Sequence, residues 1–506
     1  MPNLKTTSKN KELSKKDLET LKQKSASDWI REGEKMAINL FKKTKKEVVA
    51  YKKFLKEENL DGFQVKSILD FKKISLTTKD NYLRKFSYQE LFANGEVTSG
   101  TTISATSGST GESFFFPRNE SHDFLYERMS EIFMKNQFEI DNKKTLCIIG
   151  FGLGIWIGGI FTYKNFNKIS QKGYNFTLIP VGPNKDLYLK SFKKFAPFYD
   201  QVILAGYPPF VKDILDTGLE YGISWPKYTI RILTAAEGYS EKFREYLAKK
   251  AGIKNILKDI INIYGTVEQG TIAHETSFAN LIRHLASQNK KLFKKIFPRA
   301  TNIPTLAQYY PQNIYFEEIK NMIVATGSGS SIPLVRYQYS DLGGVIEFEE
   351  MIKKIKECNI DIYKEAKKWK IEKTTMKLPF VYVYARSDFV IVFRGANIYP
   401  GEIRSILDDQ MFSKYITGKF VMLKKENKSM DHSLEINVEL KKGISSSNSF
   451  INKITSSIIE NLRAVNSEFN DQYTHNPTKC TPIIIPRKYN DENFFSSAGK
   501  QKWIKK

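Results

Sequence analysis

Ser104-Ala105-Thr106-Ser107-Gly108-Ser109-Thr110-Gly111-Glu112-Ser113 is the stretch whose reading decides the fold. It packs hydroxyls and glycines into one short loop. Thr101-Thr102-Ile103 before it reads as the end of a strand, and Phe114-Phe115-Phe116-Pro117 after it is apolar and stops at proline. Glycine lets the backbone turn close to a ligand because no Cβ intervenes. Successive N–H groups and hydroxyls then line a concavity that suits a phosphate. A solvated Ser/Gly linker has the same composition, so the loop alone leaves both readings open. The Walker pattern is absent, because Glu112 follows Gly111 where a Lys-Ser or Lys-Thr pair would stand. That disfavours a phosphate-loop NTPase.

The surrounding chain sets bounds. Its 506 residues suffice for two or three domains and a large core. A content of 41% hydrophobic and 13% aromatic residues marks it as globular rather than disordered. The formal net charge of +24 fits nucleic acid, a membrane surface or anionic ligands. The lysines are spread along the chain with no arginine-rich tract and no zinc-finger spacing, so a solvated basic surface is favoured over a specific nucleic-acid site. Cys147, Cys358 and Cys480 are too scattered for a disulfide framework or a metal pair, which points to a reducing, cytoplasmic setting. The first residues lack an apolar signal core. The longest apolar run, 146–161, holds five glycines and falls short of the roughly 20 residues of a membrane helix. It reads as a buried strand followed by a glycine-rich turn.

Taken in order, 1–12 reads as disordered and 13–60 as helical, with Val48, Tyr51 and Leu55 on one face. Ile74-Ser75-Leu76-Thr77-Thr78-Lys79-Asp80 reads as a short strand leading into a helix capped by Thr78. Strands are predicted at 145–150, 175–180, 201–205, 230–235, 260–264 and 321–326, and helices at 188–195, 209–217 and 241–251. Such alternation predicts an α/β domain with parallel sheet. Residues 348–370 read as a charged helical decoration of the surface. After a strand at 378–384 the layout changes to a small α+β domain. It has strands at 420–423, 434–440 and 483–485, and one helix face formed by Ile451, Ile454, Ile458 and Leu462.

Four more stretches carry chemistry. Ile263-Tyr264-Gly265-Thr266-Val267-Glu268 follows a strand. Leu334-Val335-Arg336-Tyr337-Gln338-Tyr339-Ser340-Asp341 ends on an acid. Arg386-Ser387-Asp388 precedes Phe393-Arg394-Gly395-Ala396-Asn397-Ile398-Tyr399-Pro400-Gly401-Glu402, and Ala498-Gly499-Lys500 stands near the C-terminus. With these motifs in this order, the chain resembles the adenylate-forming superfamily of acyl-CoA synthetases, peptide-synthetase adenylation domains and luciferases. The phenylacetate–CoA ligase branch is suggested by Thr77-Thr78-Lys79-Asp80, Ala205-Gly206-Tyr207-Pro208-Pro209, Leu378-Pro379-Phe380 and Gly395-Ala396-Asn397-Ile398-Tyr399-Pro400. The resemblance runs from about residue 70 to the end. It implies an N-terminal helical segment over 1–75, a large AMP-binding α/β domain with mixed and parallel sheets over 76–385, and a small C-terminal α+β lid over 386–506.

The resemblance also implies roles. ATP, Mg²⁺ and coenzyme A would be the ligands, with a small carboxylic acid as substrate. Thr106, Ser107, Gly108, Ser109, Thr110 and Gly111 would hold the β- and γ-phosphates. Glu268 would hold Mg²⁺, a hard cation that takes oxygen ligands. Asp341 would accept from the ribose with Arg386 assisting. Tyr264, beside Gly265 and Thr266, would pack on the adenine, and Glu237 and Gly238 would line its slot. Lys500 would contact the α-phosphate and the carboxylate, and Asp388 would be the hinge of the lid. Trp156, Gly158, Gly159 and Tyr207 would line the acyl pocket. Four positions depart from the family pattern. Val267 replaces a hydroxyl residue, Ala385 replaces a glycine, Tyr339-Ser340 replaces Thr-Gly, and Glu112 stands where lysine is common. No His-Glu-x-x-His pattern is present, which argues against a histidine-ligated metal. Three functions therefore stay open: an acid–CoA ligase, an acyl-protein synthetase or amide-forming ligase without coenzyme A, and a catalytically weakened binding protein. Oligomeric state is not legible.

Overall fold

Apolar runs from across the chain meet in one sheet, described by a computed structural model over residues 12–99, 102–106, 113–300, 302–386, 390–407, 409–495 and 503–505. Residues 107–112, Asp388 and Lys500 lie outside the described residues. The strands of the N-terminal part are β1 (Thr102–Ala105), β2 (Phe115–Arg118), β3 (Thr145–Ile149), β4 (Phe176–Pro180), β5 (Gln201–Gly206), β6 (Ile230–Ala235), β7 (Ile260–Thr266), β8 (Gly270–His274), β9 (Thr305–Gln308), β10 (Ile314–Ile319), β11 (Met322–Gly327), β12 (Leu334–Ile346) and β13 (Phe380–Arg386). Among the described residues, eleven of them form one sheet in the order β10-β11-β12-β13-β9-β8-β7-β6-β5-β3-β4. The arm β4-β3-β5-β6-β7 is parallel, and the other pairs are antiparallel. β1 and β2 form a separate antiparallel hairpin.

The parallel strands read as unbroken apolar runs because both of their faces are covered. Side chains alternate across a strand, so each run feeds two cores. Cys147, Ile149, Ile203, Ala205, Leu233 and Ile261 face one cluster, while Leu146, Ile148, Val202, Leu204, Ile232 and Ile260 face the other. Helices Lys185–Phe195, Pro208–Gly218 and Glu241–Ala251 cover the second cluster. The run 146–161 is β3, a glycine-rich turn and the widened helical turn Ile157–Phe161. Gly159 has no room for a side chain there, because a Cβ would stand 2.1 Å from the Gly152 carbonyl oxygen. No helix among the described residues is long and apolar enough to cross a membrane.

The helical region 13–60 is three helices, Lys15–Gln23, Ala26–Glu47 and Val49–Glu57. Val48 breaks the second from the third by taking extended backbone and bridging Ala93. Phe41, Tyr51, Phe54, Phe71 and Tyr82 share one core with Phe316, Ile323 and Tyr337 of the sheet. Arg336 adds a polar staple. Its guanidinium meets Glu317 with two contacts of 3.0 Å and donates to the Lys72 carbonyl at 2.6 Å.

The sheet is mixed, as the resemblance implies, and β11 lies in its antiparallel arm. One reading of the sequence needs correction. Residues 348–370 are no decoration. Helices Phe348–Lys356 and Ile362–Lys368 bury Phe348, Met351, Ile355, Ile362 and Ala366 in a core shared with Phe278, Leu281 and Phe380. Their lysines and glutamates mark only the solvent side of amphipathic helices.

The C-terminal part has its own core. Its strands are β14 (Ile391–Phe393), β15 (Ala396–Ile398), β16 (Ile416–Glu426), β17 (His432–Leu440) and β18 (Ile483–Arg487). β14 and β15 form a short hairpin, and β16-β17-β18 form a sheet. Helix Asn448–Val465 buries Phe450, Ile454, Ile458 and Leu462 against it. Residues 503–505 run along β16, with the Met422 N–H donating to the Trp503 carbonyl at 2.8 Å.

Candidate active site

Sheet register builds the first part of the site. β12 and β13 place Asp341 directly opposite Arg386, with Nη1 3.9 Å from Oδ1. Tyr264, near the end of β7, donates its hydroxyl to Asp341 Oδ2 at 2.5 Å. Burial and that carboxylate push the Tyr264 phenol well above its ordinary range, so it stays a donor. Asp341 is buried, and a buried carboxylate facing a phenol and a guanidinium is held ready to accept hydrogen bonds from a diol.

The second part is a turn of charge. Glu268 stands half-buried in the tight connection between β7 and β8. Thr266 braces that connection, its Oγ1 accepting from the Gln269 N–H at 3.2 Å. Arg118, at the end of β2, donates to the carbonyl of Val267 and to that of Phe116, the latter at 3.2 Å. This guanidinium therefore ties the hairpin that carries the Ser/Gly loop to the turn that carries Glu268. Burial lowers Arg118 to about 10, while Asp123 and Glu268 oppose the shift. Thr106 closes the neck of the loop. Its N–H donates to the Phe114 carbonyl, and its Oγ1 accepts from the Phe114 N–H, both at 2.9 Å. Ser107, Gly108, Ser109, Thr110 and Gly111 lie outside the described residues.

Lys79 joins the two parts. Burial and Arg84 lower its ammonium below the usual range, while Glu268 and Asp80 raise it, and Arg386 adds a small lowering. The side chain thus lies in the fields of Glu268 and Arg386 together. Thr77 sets this position, because its N–H donates to the Arg336 carbonyl at 3.1 Å and its carbonyl accepts from the Gln338 N–H at 2.8 Å. Thr78 caps the helical turn through the Asn81 N–H at 3.0 Å, as the sequence predicts. The reading of the sequence gave neither Lys79 nor Arg118 a part in the site. For Lys79 the signal was the Thr-Thr-Lys-Asp run, whereas nothing local marks Arg118.

The third part lies where the lid meets the large domain. Glu237, expected with Gly238 to line the adenine slot, meets the lid through both carboxylate oxygens. Oε1 accepts from the Gly395 N–H at 2.5 Å, and Oε2 pairs with Lys424. Ala236 before it takes φ 75°, a left-handed turn that L-residues avoid, and this turn carries the carboxylate toward the lid. Burial raises the Glu237 carboxyl, but Lys424, His432 and the Gly395 N–H together hold it below its usual range. Gly238 is pressed against Thr305, whose Oγ1 would lie 2.6 Å from a Cβ there. Gly265 is likewise close to the Gly270 carbonyl oxygen, 3.0 Å from a Cβ.

Tyr207 packs against Phe151, with ring centroids 5.5 Å apart, and its hydroxyl is bonded to the Gly152 backbone. The hairpin tip at Gly395 lies on its ring, 3.1 Å from where a Cβ would stand. Trp156 covers Gly152 and Gly154, and Gly158 faces the Tyr207 hydroxyl. Trp156, Gly158, Gly159 and Tyr207 therefore meet in one place, under the lid. Nearby, Asp213 of helix Pro208–Gly218 binds Lys479 at 2.5 Å, Asn476 at 3.2 Å and the guanidinium of Arg394.

Among the described residues, no group of three or more His, Cys, Asp or Glu side chains could hold a metal ion by itself. A single carboxylate such as Glu268 still fits Mg²⁺, which takes most of its ligands from phosphate and water when it accompanies a nucleotide.

No protein-family model matches the chain, and no curated protein does. Its fold is similar to that of solved 2-hydroxyisobutyryl-CoA ligase structures. One, in complex with 2-HIB-AMP and CoA in the thioesterification state, superposes with a TM-score of 0.65 at 12% identity, covering 98% of this chain and 94% of that one. The open conformation of that ligase gives 0.51 at 12% identity over 93% and 90%. Its postadenylation state with R3-HIB-AMP gives 0.52 at 12% identity over 96% and 90%. The shared fold spans both the large domain and the lid.

Proposed function

We propose that this protein is an ATP-dependent ligase that activates a carboxylic acid as an acyl-adenylate and passes the acyl group to the thiol of coenzyme A. One observation carries the reading. Asp341 is braced by Tyr264 and Arg386, and Glu268 sits in the turn that Arg118 ties to the Ser/Gly hairpin through the Val267 carbonyl, with Lys79 near enough to feel the charges of both Glu268 and Arg386. This arrangement suits a ribose at one end and phosphates at the other. The whole-chain likeness to a ligase solved with an acyl-AMP and CoA supports the same reading.

Joining a carboxylate to an α-phosphate brings two anions together, so positioning and charge neutralisation dominate the barrier. Asp341 accepts from the ribose hydroxyls with Arg386 beside it. Lys79 and Arg118 supply positive charge next to the phosphates. Lys500 is assigned to the α-phosphate and the acid, and Asp388 to the hinge of the lid. Glu268 would hold Mg²⁺, which supplies charge neutralisation on the departing pyrophosphate. The carboxylate oxygen attacks the α-phosphorus and pyrophosphate leaves. The thiol then attacks the acyl carbon and AMP leaves. Trp156 and Tyr207 favour an aryl or medium-length acyl group, as in the phenylacetate–CoA ligase branch. Three buried free cysteines fit a cytoplasmic setting.

The test is ATP–pyrophosphate exchange across a panel of aryl and fatty acids, followed by product analysis with and without coenzyme A. At least one acid should support exchange. Glu268→Gln should slow exchange about 10²–10³-fold, the usual effect of removing one electrostatic stabiliser. Exchange with no acid at all would leave the binding-protein reading. Release of an amide or an acyl-protein instead of acyl-CoA would replace the acceptor.

A further inference from the structure

Three carboxylates at the junction of lid and large domain are paired with lysine or arginine side chains. Glu237 has Lys424, Asp213 has Arg394 and Lys479, and Asp431 has Lys212 and Lys479. Asp471 differs. It belongs to the lid helix Ser467–His475, and its Oδ2 is buried with no hydrogen-bond partner among the described residues. Only its other oxygen approaches a cationic group, with Oδ1 3.8 Å from His475 Nδ1. A buried acceptor left unmatched is costly, so its persistence calls for a reason.

The place it points to supplies one. A Cβ built on Gly152 would lie 3.1 Å from Asp471 Oδ2, 3.4 Å from Trp156 and 3.5 Å from the Tyr207 hydroxyl. The lid helix, the glycine-rich turn and the turn after β5 therefore converge on one spot. It lies beside the residues assigned to the acyl group and beside the hairpin tip at Gly395. The lid helix brings the Asp471 carboxylate there. We propose that Asp471 is the general base that takes the thiol proton in the second half-reaction, delivered to the acyl carbon by the lid. This rests on the function proposed above.

The chemistry balances. The thiol proton passes to Asp471 Oδ2, and the sulfur electron pair forms the C–S bond. The acyl C–O bond breaks with its pair leaving on AMP, and Asp471 later releases the proton to solvent. A thiol with a pKa near 8.5 is mostly protonated at neutral pH and gains from an adjacent base. Burial raises the Asp471 carboxyl above its usual range, and His475 opposes this, so the group is a better proton acceptor than an exposed aspartate. The titratable groups around it are Glu468 and His475 on its own helix, Tyr207 across from it, and Glu237 behind Tyr207.

The experiment separates the half-reactions of Asp471→Asn, a nearly isosteric change. Pyrophosphate exchange reads adenylation, and a single turnover of preformed acyl-adenylate with coenzyme A, between pH 5.5 and 8.5, reads thiol transfer. Exchange is expected to stay within about threefold of the unaltered protein. Thiol transfer should fall about 100-fold at pH 7 and then climb about tenfold per pH unit as free thiolate forms. The unaltered protein should show a flatter profile. Transfer at an unchanged rate would overturn the assignment while leaving the ligase reading intact. Equal loss in both half-reactions would make Asp471 structural and overturn it as well. An unaltered protein that exchanges with no acid would bring down the ligase reading, and the base with it.

Discussion

At Glu402 a single side chain records a conflict between burial and charge. Its carboxylate caps the start of helix Pro400–Leu407, accepting from the Tyr399 N–H at 2.9 Å and from the Asn466 amide at 3.1 Å. Burial nevertheless lifts it from 4.5 to about 6, and those two hydrogen bonds only partly offset the rise. The folded state therefore binds this proton more tightly than the unfolded chain does. The associated stability is complete below pH 4.5 and is lost as pH rises through 6. The loss at neutral pH is about 2 kcal/mol. Glu402→Gln should therefore raise the thermal midpoint of the lid at pH 7.5 and leave it unchanged at pH 4.5, as calorimetry at the two pH values would show. The sequence displayed Glu402 as part of a motif but gave no hint of this tension, because burial depends on Asn466 and the lid core.

Helix Pro208–Gly218 decides how the lid is held. Pro208 and Pro209 start it, where a missing N–H costs nothing, and its buried face carries Lys212 and Asp213 side by side. Lys212 reaches Asp216 on its own helix and Asp431 on the lid, at 2.7 and 2.8 Å. Asp213 gathers Arg394, Lys479 and Asn476. Breaking a buried pair from one side leaves an uncompensated charge, here the guanidinium of Arg394, which is 3% exposed. Asp213→Ala should weaken lid docking by about 3–5 kcal/mol. Hydrogen exchange in the hairpin Ile391–Phe393 and Ala396–Ile398 would report this as lost protection. Protection equal to that of the unaltered protein would show that docking does not depend on this cluster. The helix itself was legible from its apolar spacing. Its partner was not, because Asp213 and Arg394 are 181 positions apart.

The molecule as a whole divides by chemistry. The lid core, built from Phe420, Ile436, Ile458 and their neighbours, is a cluster separate from the four clusters of the large domain. Several of the contacts that join the two bodies are ion pairs and hydrogen bonds. Domains joined in this way move and melt more independently than those sharing an apolar core. In rising urea, exchange protection in β16 and β17 should therefore be lost at a different concentration from that in β3 and β5. A single coincident transition would show that docking couples the bodies fully. Where the two bodies meet, Gly395 lies on the Tyr207 ring and Asp471 beside Gly152 of the glycine-rich turn.

Local pattern alone specified the elements. The strands at 145–149, 201–206 and 230–235, the helix Glu241–Ala251, the Thr78 cap and the lid helix over Ile454, Ile458 and Leu462 all follow from periodicity and capping, which act over a few residues. Spacing of motifs likewise singled out Tyr264, Glu268, Asp341 and Arg386. Tertiary structure decided what those residues meet. Register across β12 and β13 paired Asp341 with Arg386, the strained turn at Ala236 sent Glu237 to the lid, and the fold alone brought Arg118, Lys79 and Asp471 to their places. Hydrogen bonds and charges act over a few ångströms in space, whereas the residues that make them lie far apart along the chain.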